Sequence, residues 1–204
     1  MATAKKYDQC EDDFLVRRSV DGDASAKSEL VSRFLPRIWR IVYLNCGATG
    51  DVEDLVQTAM LTALESLHAY RGPDRFRFWL DRLTINIVRT HFRRNRLKRL
   101  FVATIAPEEI DAVCHHNEER QAEMQQMFRR LARHLSNIKE KNRVALILSL
   151  IHGYQAKEIA GITGCSIEAA WKRTKRGYDE LMARLARDPE LDESLREFFE
   201  GADR

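Results

Sequence analysis

The segment Asp51-Val-Glu-Asp-Leu-Val-Gln57 opens a long amphipathic helix around which the chain is organised. Asp51 stands where an N-cap belongs, and Asp54 follows three residues later, near the positive end of the helix dipole. Gln57, with Leu55, is expected to add an outer patch of mixed polarity that suits a protein partner. The two aspartates could instead act only as helix caps. We expect a buried apolar stripe on this helix: Val52, Leu55, Val56, Ala59, Ala63 and Leu67.

The next predicted helix is aromatic where it begins and basic where it ends. It follows a loop at 70–75 that Gly72-Pro73 marks as a helix break. Three aromatic residues fall within Phe76-Arg-Phe-Trp79, and one helix face cannot bury them all, so either two faces of the helix pack or some of the aromatics meet a ligand. The helical spacing predicts this buried set: Phe76, Leu80, Leu83 and Ile87.

Positive charge dominates the second half of that helix. Arg89, Arg93 and Arg96 recur at three- to four-residue steps and therefore share a face. A solvated face usually mixes signs, whereas Asp81 is the last acid before Glu108. The pattern indicates a phosphate-binding surface.

A second helical domain is predicted from Glu118 onward. A short helix in 154–161 is followed by the turn Thr163-Gly-Cys165, and Ser166 caps a final helix that runs to about Arg187. This order is typical of a helix-turn-helix. The final helix is basic, and we expect it to bury this set: Ala170, Tyr178, Leu181 and Leu185.

Two segments lack this clear pattern. Helical periodicity is lost from Leu97 to Asn117, which predicts a linker. Cys114-His-His116 lies there, but adjacent residues rarely converge on one metal, so a solvated segment is the better interpretation. The acidic tail from Asp188 carries apolar residues at helical spacing, and a docked helix and a frayed end fit it equally well.

The composition limits the classes of protein that need to be considered. The 204 residues carry a net charge of +3, and four widely spaced cysteines show no paired ligand spacing. The N-terminus has no apolar run behind its lysines, and no stretch is long enough to span a membrane. We therefore expect a cytoplasmic protein with reduced thiols, no cofactor, no metal and no insertion into a membrane.

From about Asp12 to Leu185 the chain resembles the extracytoplasmic-function (ECF) type of bacterial RNA polymerase sigma factor. The 51–57 segment is similar to the family's polymerase-docking signature. Phe76-Arg-Phe-Trp-Leu80, with the residues that follow, is similar to its promoter-melting segment, and Glu158-Ile-Ala160 with Gly164 and Ser166 to its −35-reading motif. The recognition helix departs from the usual pattern, because Ala169-Ala-Trp-Lys-Arg-Thr174 stands where Thr-Val-Lys-Ser-Arg-Leu is common.

The resemblance implies an all-α protein of two helical domains joined by a linker, with a helix-turn-helix in the C-terminal one. It implies a region-2-like domain at 1–97, a linker at 98–117, a region-4-like domain at 118–187 and an acidic tail at 188–204. Core RNA polymerase and promoter DNA are the implied partners. Because such proteins are commonly held inactive by an anti-sigma protein, one of these is a further candidate partner.

The resemblance also implies three sets of contact residues. The polymerase-binding set is Asp51, Asp54, Leu55 and Gln57. The −10 set is Tyr70, Arg71, Arg75, Phe78, Asn86, Arg89, Arg93, Arg94 and Arg96. The −35 set is Ser166, Trp171, Lys172, Arg173, Lys175 and Arg176.

Three other classes of protein remain open at this point. A helix-turn-helix regulator that acts without polymerase would explain Glu158 to Arg187 but not the two motifs before it. A metal-dependent hydrolase would need His115, His116, Glu118 and Glu119 to form an ordered concave site. A structural adaptor would leave two separate basic helices unexplained.

Overall fold

The structure, a computed structural model, describes residues 11–47, 51–70, 76–101, 118–191 and 193–195, and within these the side chains of 96–101 and 118–125 are left aside. All regular secondary structure in these ranges is helical. Contacts divide the chain into two compact units, Met1–Val42 with Asp51–Ile105 and Tyr43–Gly50 with Ala106–Arg204. The prediction of an all-α protein with two helical parts is confirmed, while the predicted domain limits stay a prediction.

The helices of the first unit are α1 (Asp12–Val20), α2 (Ala24–Cys46, whose last residues belong to the second unit), α3 (Val52–Glu65) and α4 (Phe76–Phe101). A short 3-10 helix, Leu67–Ala69, follows α3. Asp23 starts α2, because its Oδ1 accepts the backbone N–H groups of Ser25 and Ala26 at 2.9 and 3.1 Å. Pro36 lies inside α2, and the helix continues through it from Ala24 to Cys46.

A buried ion pair ties α2 to α4. Arg37 donates to both carboxylate oxygens of Asp81, at 2.8 Å from Nε and 2.6 Å from Nη2. Asp81 is completely buried and Arg37 keeps 21% of its side chain exposed. The two-pronged contact between the Arg37 guanidinium and the Asp81 carboxylate therefore fixes the rotation of α4 about its own axis.

That rotation differs from the predicted one. Phe76 and Leu80 are buried as expected, but the stripe continues through Thr84, Ile85 and Val88. The prediction that Leu83 and Ile87 are core residues was wrong, because both lie half-exposed on the side of α4 that faces α3.

The helices of the second unit are α5 (Glu118–Ser136), α6 (Glu140–Leu150), α7 (Ala156–Thr163) and α8 (Ile167–Leu185). Gly153 follows the end of α6 with a φ of +68°; its N–H donates to Ser149 O at 3.0 Å, and the N–H of Tyr154 donates to Leu148 O at 3.1 Å. Gly164, with φ +66°, forms the tight turn between α7 and α8. These two helices and their turn are the predicted helix-turn-helix.

Helices α6 and α8 approach each other closely at Gly177. A Cβ atom built at this glycine would lie 2.8 Å from the backbone oxygen of Asn142 and 3.0 Å from Cβ of Leu146. Gly177 and Ala170 are buried, whereas Tyr178 exposes 46% of its surface. The prediction that Tyr178 is buried was wrong, because the contact face of α8 passes through the glycine beside it.

The beginning of the acidic tail is docked on the second unit. Residues 189–191 and 193–195 are helical, Leu191 is completely buried, and Leu195 is nearly so. Asp188 binds Arg130 and lies 2.9 Å from Nε2 of His134, and Glu190 accepts from Arg130 at 2.9 Å. Hydrogen bonds from His134 first, and then from Arg130, lower the pKa of Asp188. The described part of the tail is therefore a docked helix and not a frayed end.

Candidate functional site

The start of α3 presents an exposed polar surface. Asp51, Asp54 and Gln57 are all exposed. The expected side-chain cap is absent, since no backbone N–H donates to the Asp51 carboxylate; its Oδ2 lies 3.5 Å from Nε2 of His91 instead. The acidic groups therefore remain available to a partner molecule on this face.

Leu55 occupies a different position from the rest of that set. Only 8% of its surface is exposed, so it lies in the buried stripe that the helical spacing predicts, and the prediction that it adds to an outer patch with Gln57 was wrong. It lies one turn into α3 on the side that faces α4, where it forms part of the wall of a groove. A contact by Leu55 would have to be made from within this groove.

The groove runs between α3 and α4 and has a volume of about 690 Å³. Trp79, Leu83 and Ile87 give it an apolar side, and polar groups alternate with them along α4. Asn86 is among these polar groups, together with Arg82, Thr90, His91 and Arg94. An aromatic surface beside an amide and guanidinium groups suits an unstacked nucleobase with its phosphate.

The groove continues into a basic face of α4. Arg89, Arg93 and Arg94 are exposed, and Arg94 also lines the groove. The side chain of Arg96 lies outside the part of α4 whose side chains are described. Sequence reasoning missed Arg82, which is exposed on the same face and could have been found from its spacing of four from Asn86.

An aromatic cluster supports the entrance of α4. The Tyr70 ring packs against Phe76 and Trp79 at centroid distances of 5.5 and 5.9 Å, and its hydroxyl donates to Asp13 Oδ1 at 2.8 Å. Phe76 also meets Phe34 edge-on at 5.0 Å. Phe78 is half-buried, and Arg71 and Arg75 lie outside the described residues. These contacts hold Tyr70 in the wall of the first unit.

The helix-turn-helix carries the remaining predicted contacts. The Ser166 hydroxyl accepts the backbone N–H of Ala169 at 3.2 Å, which makes Ser166 the N-cap of α8 as predicted. The exposed members of the predicted set on α8 are Trp171, Lys172, Lys175 and Arg176, while Arg173 is half-buried. Except for Ser166, the predicted −35 residues thus lie on one helix, in its first three turns.

The described ranges contain neither a cluster of metal ligands nor a membrane-spanning helix. No group of three or more His, Cys, Asp and Glu side chains there is arranged to hold a metal ion, and Cys114-His115-His116 lies outside them. None of the helices in these ranges combines the length and apolar character that crossing a bilayer requires.

Comparisons with known proteins agree with this geometry. The family model for sigma-70 region 2 matches residues 30–98, which include α3, the groove and the basic face of α4. An ECF RNA polymerase sigma factor SigE of Mycolicibacterium smegmatis is 29% identical over 178 residues, 81% of this chain, and the match spans 65% of that relative. The ECF RNA polymerase sigma-E factor of Escherichia coli is 26% identical over 180 residues, which are 85% of this chain and 94% of that protein.

Among solved structures, the sigma factor RpoE of Bartonella quintana, in complex with the anti-sigma factor NepR, shares the fold. It superposes with a TM-score of 0.64 at 19% identity, over 78% of this chain and 96% of that one. The sequence matches and the shared helical fold agree with one another: residues 30–98 match sigma-70 region 2, and most of the chain is similar to ECF RNA polymerase sigma factors.

Proposed function

We propose that this protein binds core RNA polymerase in the cytoplasm and directs it to promoters by recognising their −35 and −10 elements. The observation that carries the proposal is the combination, in one chain, of an exposed acidic helix start, a basic groove beside it and a separate helix-turn-helix unit. Such a protein performs no covalent chemistry, because its contribution is sequence specificity for an enzyme that lacks it.

Polymerase contact is assigned to the start of α3. Asp51, Asp54 and Gln57 are exposed within two helical turns and offer acceptors and one amide to a basic partner surface. Leu55 would add an apolar contact at the edge of the groove. Exposed acids next to an apolar residue favour a protein partner over nucleic acid, because phosphates would be repelled here.

The groove and the basic face of α4 are assigned to the −10 element. Extruding a base costs a few kcal/mol, and stacking on an aromatic side chain recovers about 1–3 kcal/mol per base. Trp79 offers that surface inside the groove, and Asn86 offers hydrogen bonds to a base edge. Arg89, Arg93 and Arg94 would follow the phosphates, with Arg71, Arg75 and Arg96 as further proposed contacts.

Two of the proposed −10 residues have roles limited by their surroundings. Tyr70 is engaged in ring contacts and in its hydrogen bond to Asp13, so it would support the groove from behind. Phe78 is half-buried and would offer only part of its ring to a base.

The helix-turn-helix is assigned to the −35 element, with α8 in the major groove. Lys175 and Arg176 would position the helix on phosphates, together with Lys172 and Arg173. Ser166 and Trp171 would lie where α8 enters the groove. Neither unit alone should bind promoter DNA tightly, because two weak modules gain from effective concentration only when polymerase fixes their separation.

The proposed contacts with polymerase and promoter DNA are distributed over the predicted domains. Residues 1–97 would serve polymerase and the −10 element, residues 118–187 the −35 element, and residues 98–117 would run toward the active channel of the polymerase. By analogy with the NepR complex of the Bartonella quintana protein, an anti-sigma factor is proposed as a further partner.

The decisive test is run-off transcription with purified bacterial core polymerase on a pool of promoter fragments. We expect transcripts from a defined subset, and we expect Asp54→Ala to abolish them together with core binding. Glu53→Ala is the matched control, because Glu53 is also an exposed acid in the first turn of α3. Duplex binding without polymerase, combined with no initiation, would instead assign the protein to the polymerase-independent helix-turn-helix regulators.

A further inference from the structure

The recognition helix begins with two exposed apolar side chains. Ile167 and Trp171 each expose 55% of their surface and are one helical turn apart. Both lie beside the charged outer face of α8, away from the buried line through Ala170 and Gly177. Burial in the core therefore does not explain them, and both side chains are available to a partner molecule.

The cationic side chains near this end of α8 are less suited to reading bases. Lys172 Nζ is held by Glu168 Oε1 at 2.6 Å, and Arg173 is half-buried. Lys175 Nζ lies 5.6 Å from the centre of the Trp171 ring, and Arg176 lies nearly three turns from the start of the helix. The charges are thus arranged around the apolar pair and toward the middle of the helix.

Duplex DNA is the occupant that this surface fits. In a helix-turn-helix the N-terminal residues of the recognition helix meet the base edges, and flanking cations meet phosphates. Ile167 and Trp171 occupy that N-terminal position, and the cluster of lysines and arginines behind them is complementary to the backbone. The apolar group that a major groove presents is the C5-methyl of thymine.

We propose, on the basis of the function proposed above, that Ile167 and Trp171 read thymine methyl groups in the upstream promoter element. The two side chains are four residues apart, about 6 Å along the helix axis. At about 3.4 Å per base pair, this corresponds to two thymines about two base pairs apart. The −35 element of this protein is therefore read chiefly by apolar contact, and its lysines and arginines serve affinity.

The test uses the full-length protein with core polymerase on promoters randomised over the upstream element. The selected promoters should carry thymine at two positions about two base pairs apart. Each thymine is then replaced by deoxyuridine, which keeps every hydrogen-bonding group and removes only the methyl. We expect about a fourfold loss of transcription per replacement, the factor for removing one methyl-sized group from apolar contact.

Two variants assign the effect to a side chain. With Trp171→Ala, one of the two positions should accept deoxyuridine without further loss. Tyr178→Ala removes another exposed aromatic ring from the same helix, two turns further on, and should leave both positions sensitive. If Trp171→Ala fails to fold, the loss of transcription that the unaltered protein shows on deoxyuridine promoters still tests the methyl readout.

The outcomes separate this inference from the function on which it rests. Promoter-specific transcription that is indifferent to deoxyuridine, or an element without thymines, would overturn the methyl readout and leave the sigma-factor function intact. Unchanged sensitivity at both positions in a folded Trp171→Ala protein would overturn the assignment. Failure of the unaltered protein to initiate at any promoter would overturn the proposed function itself.

Discussion

The Arg37–Asp81 pair leads to a quantitative prediction for the first unit. Replacing Arg37 by Gln keeps much of the side-chain length and removes the guanidinium from a carboxylate that is completely buried. Removing one partner of a buried ion pair costs about 3–5 kcal/mol, because the other charge is left without compensation. Since Arg37 retains 21% exposure, water can partly solvate the site, and we expect the lower end, about 3 kcal/mol.

A matched control exists in the same unit. Arg18 also pairs with an aspartate, at 2.7 Å from Asp23, but 46% of its side chain is exposed. An exposed pair contributes about 0–1 kcal/mol, so Arg18→Gln should change the free energy of unfolding by less than that. The comparison holds the substitution constant, while both partners of the Arg37–Asp81 pair are more buried than those of the Arg18–Asp23 pair.

Native-state hydrogen exchange is the suitable measurement, because it reports the free energy of opening for α2 and α4 separately from the second unit. Arg37→Gln should lower protection throughout both helices, and Arg18→Gln should not. A double variant in which Arg37 and Asp81 are both leucine should recover part of the loss, since no buried charge remains. Equal effects of the two Arg→Gln changes would refute the reasoning.

Three further predictions concern the second unit. Gly177→Ala should lower the free energy of unfolding of this unit by about 1–3 kcal/mol in urea titrations, because the new methyl group meets the backbone of α6. The same change at the exposed Gly161 is the control and should be neutral or slightly stabilising. Ser166→Ala should cost about 1 kcal/mol in the same assay through loss of the α8 cap. Asp188→Asn should release Leu191 and speed proteolysis of the tail. Because the pKa of Asp188 is lowered in the folded protein, the stabilisation from its carboxylate is present above a pH of about 3.9 and is lost as the pH falls through the lowered pKa. Acid should therefore speed proteolysis of the unaltered tail but not of the variant.

Features set by neighbouring residues in the chain were predictable. Ser166 could be recognised as a cap from its position before a helical pattern, and Gly153 from its position after one. The acids at the start of α3 were expected to face a protein partner or to cap the helix, and they are exposed without a side-chain cap from Asp51. Local sequence determines where a helix starts and ends, and which of its ends is charged.

Features set by neighbours in space were not predictable. Helical period gives a stripe its spacing, but the direction of Leu83 and Ile87 depends on α3 and on the Arg37–Asp81 pair, whose members are 44 residues apart. From the sequence alone, Gly177 is only a residue with a low helix propensity. The structure shows that a side chain has no room there, because the backbone of Asn142 lies too close. Tyr178 was misplaced for the same reason.

The close approach at Gly177 has a consequence for engineering. Because α8 rests on the backbone of α6 at this point, the side chains that α8 presents are set by a helix more than 25 positions earlier in the chain. Transplanting residues 167–176 alone into a related scaffold would leave their orientation to the host. A chimera designed to carry the promoter preference of this protein should therefore exchange α6, α7 and α8 together, as a single cassette.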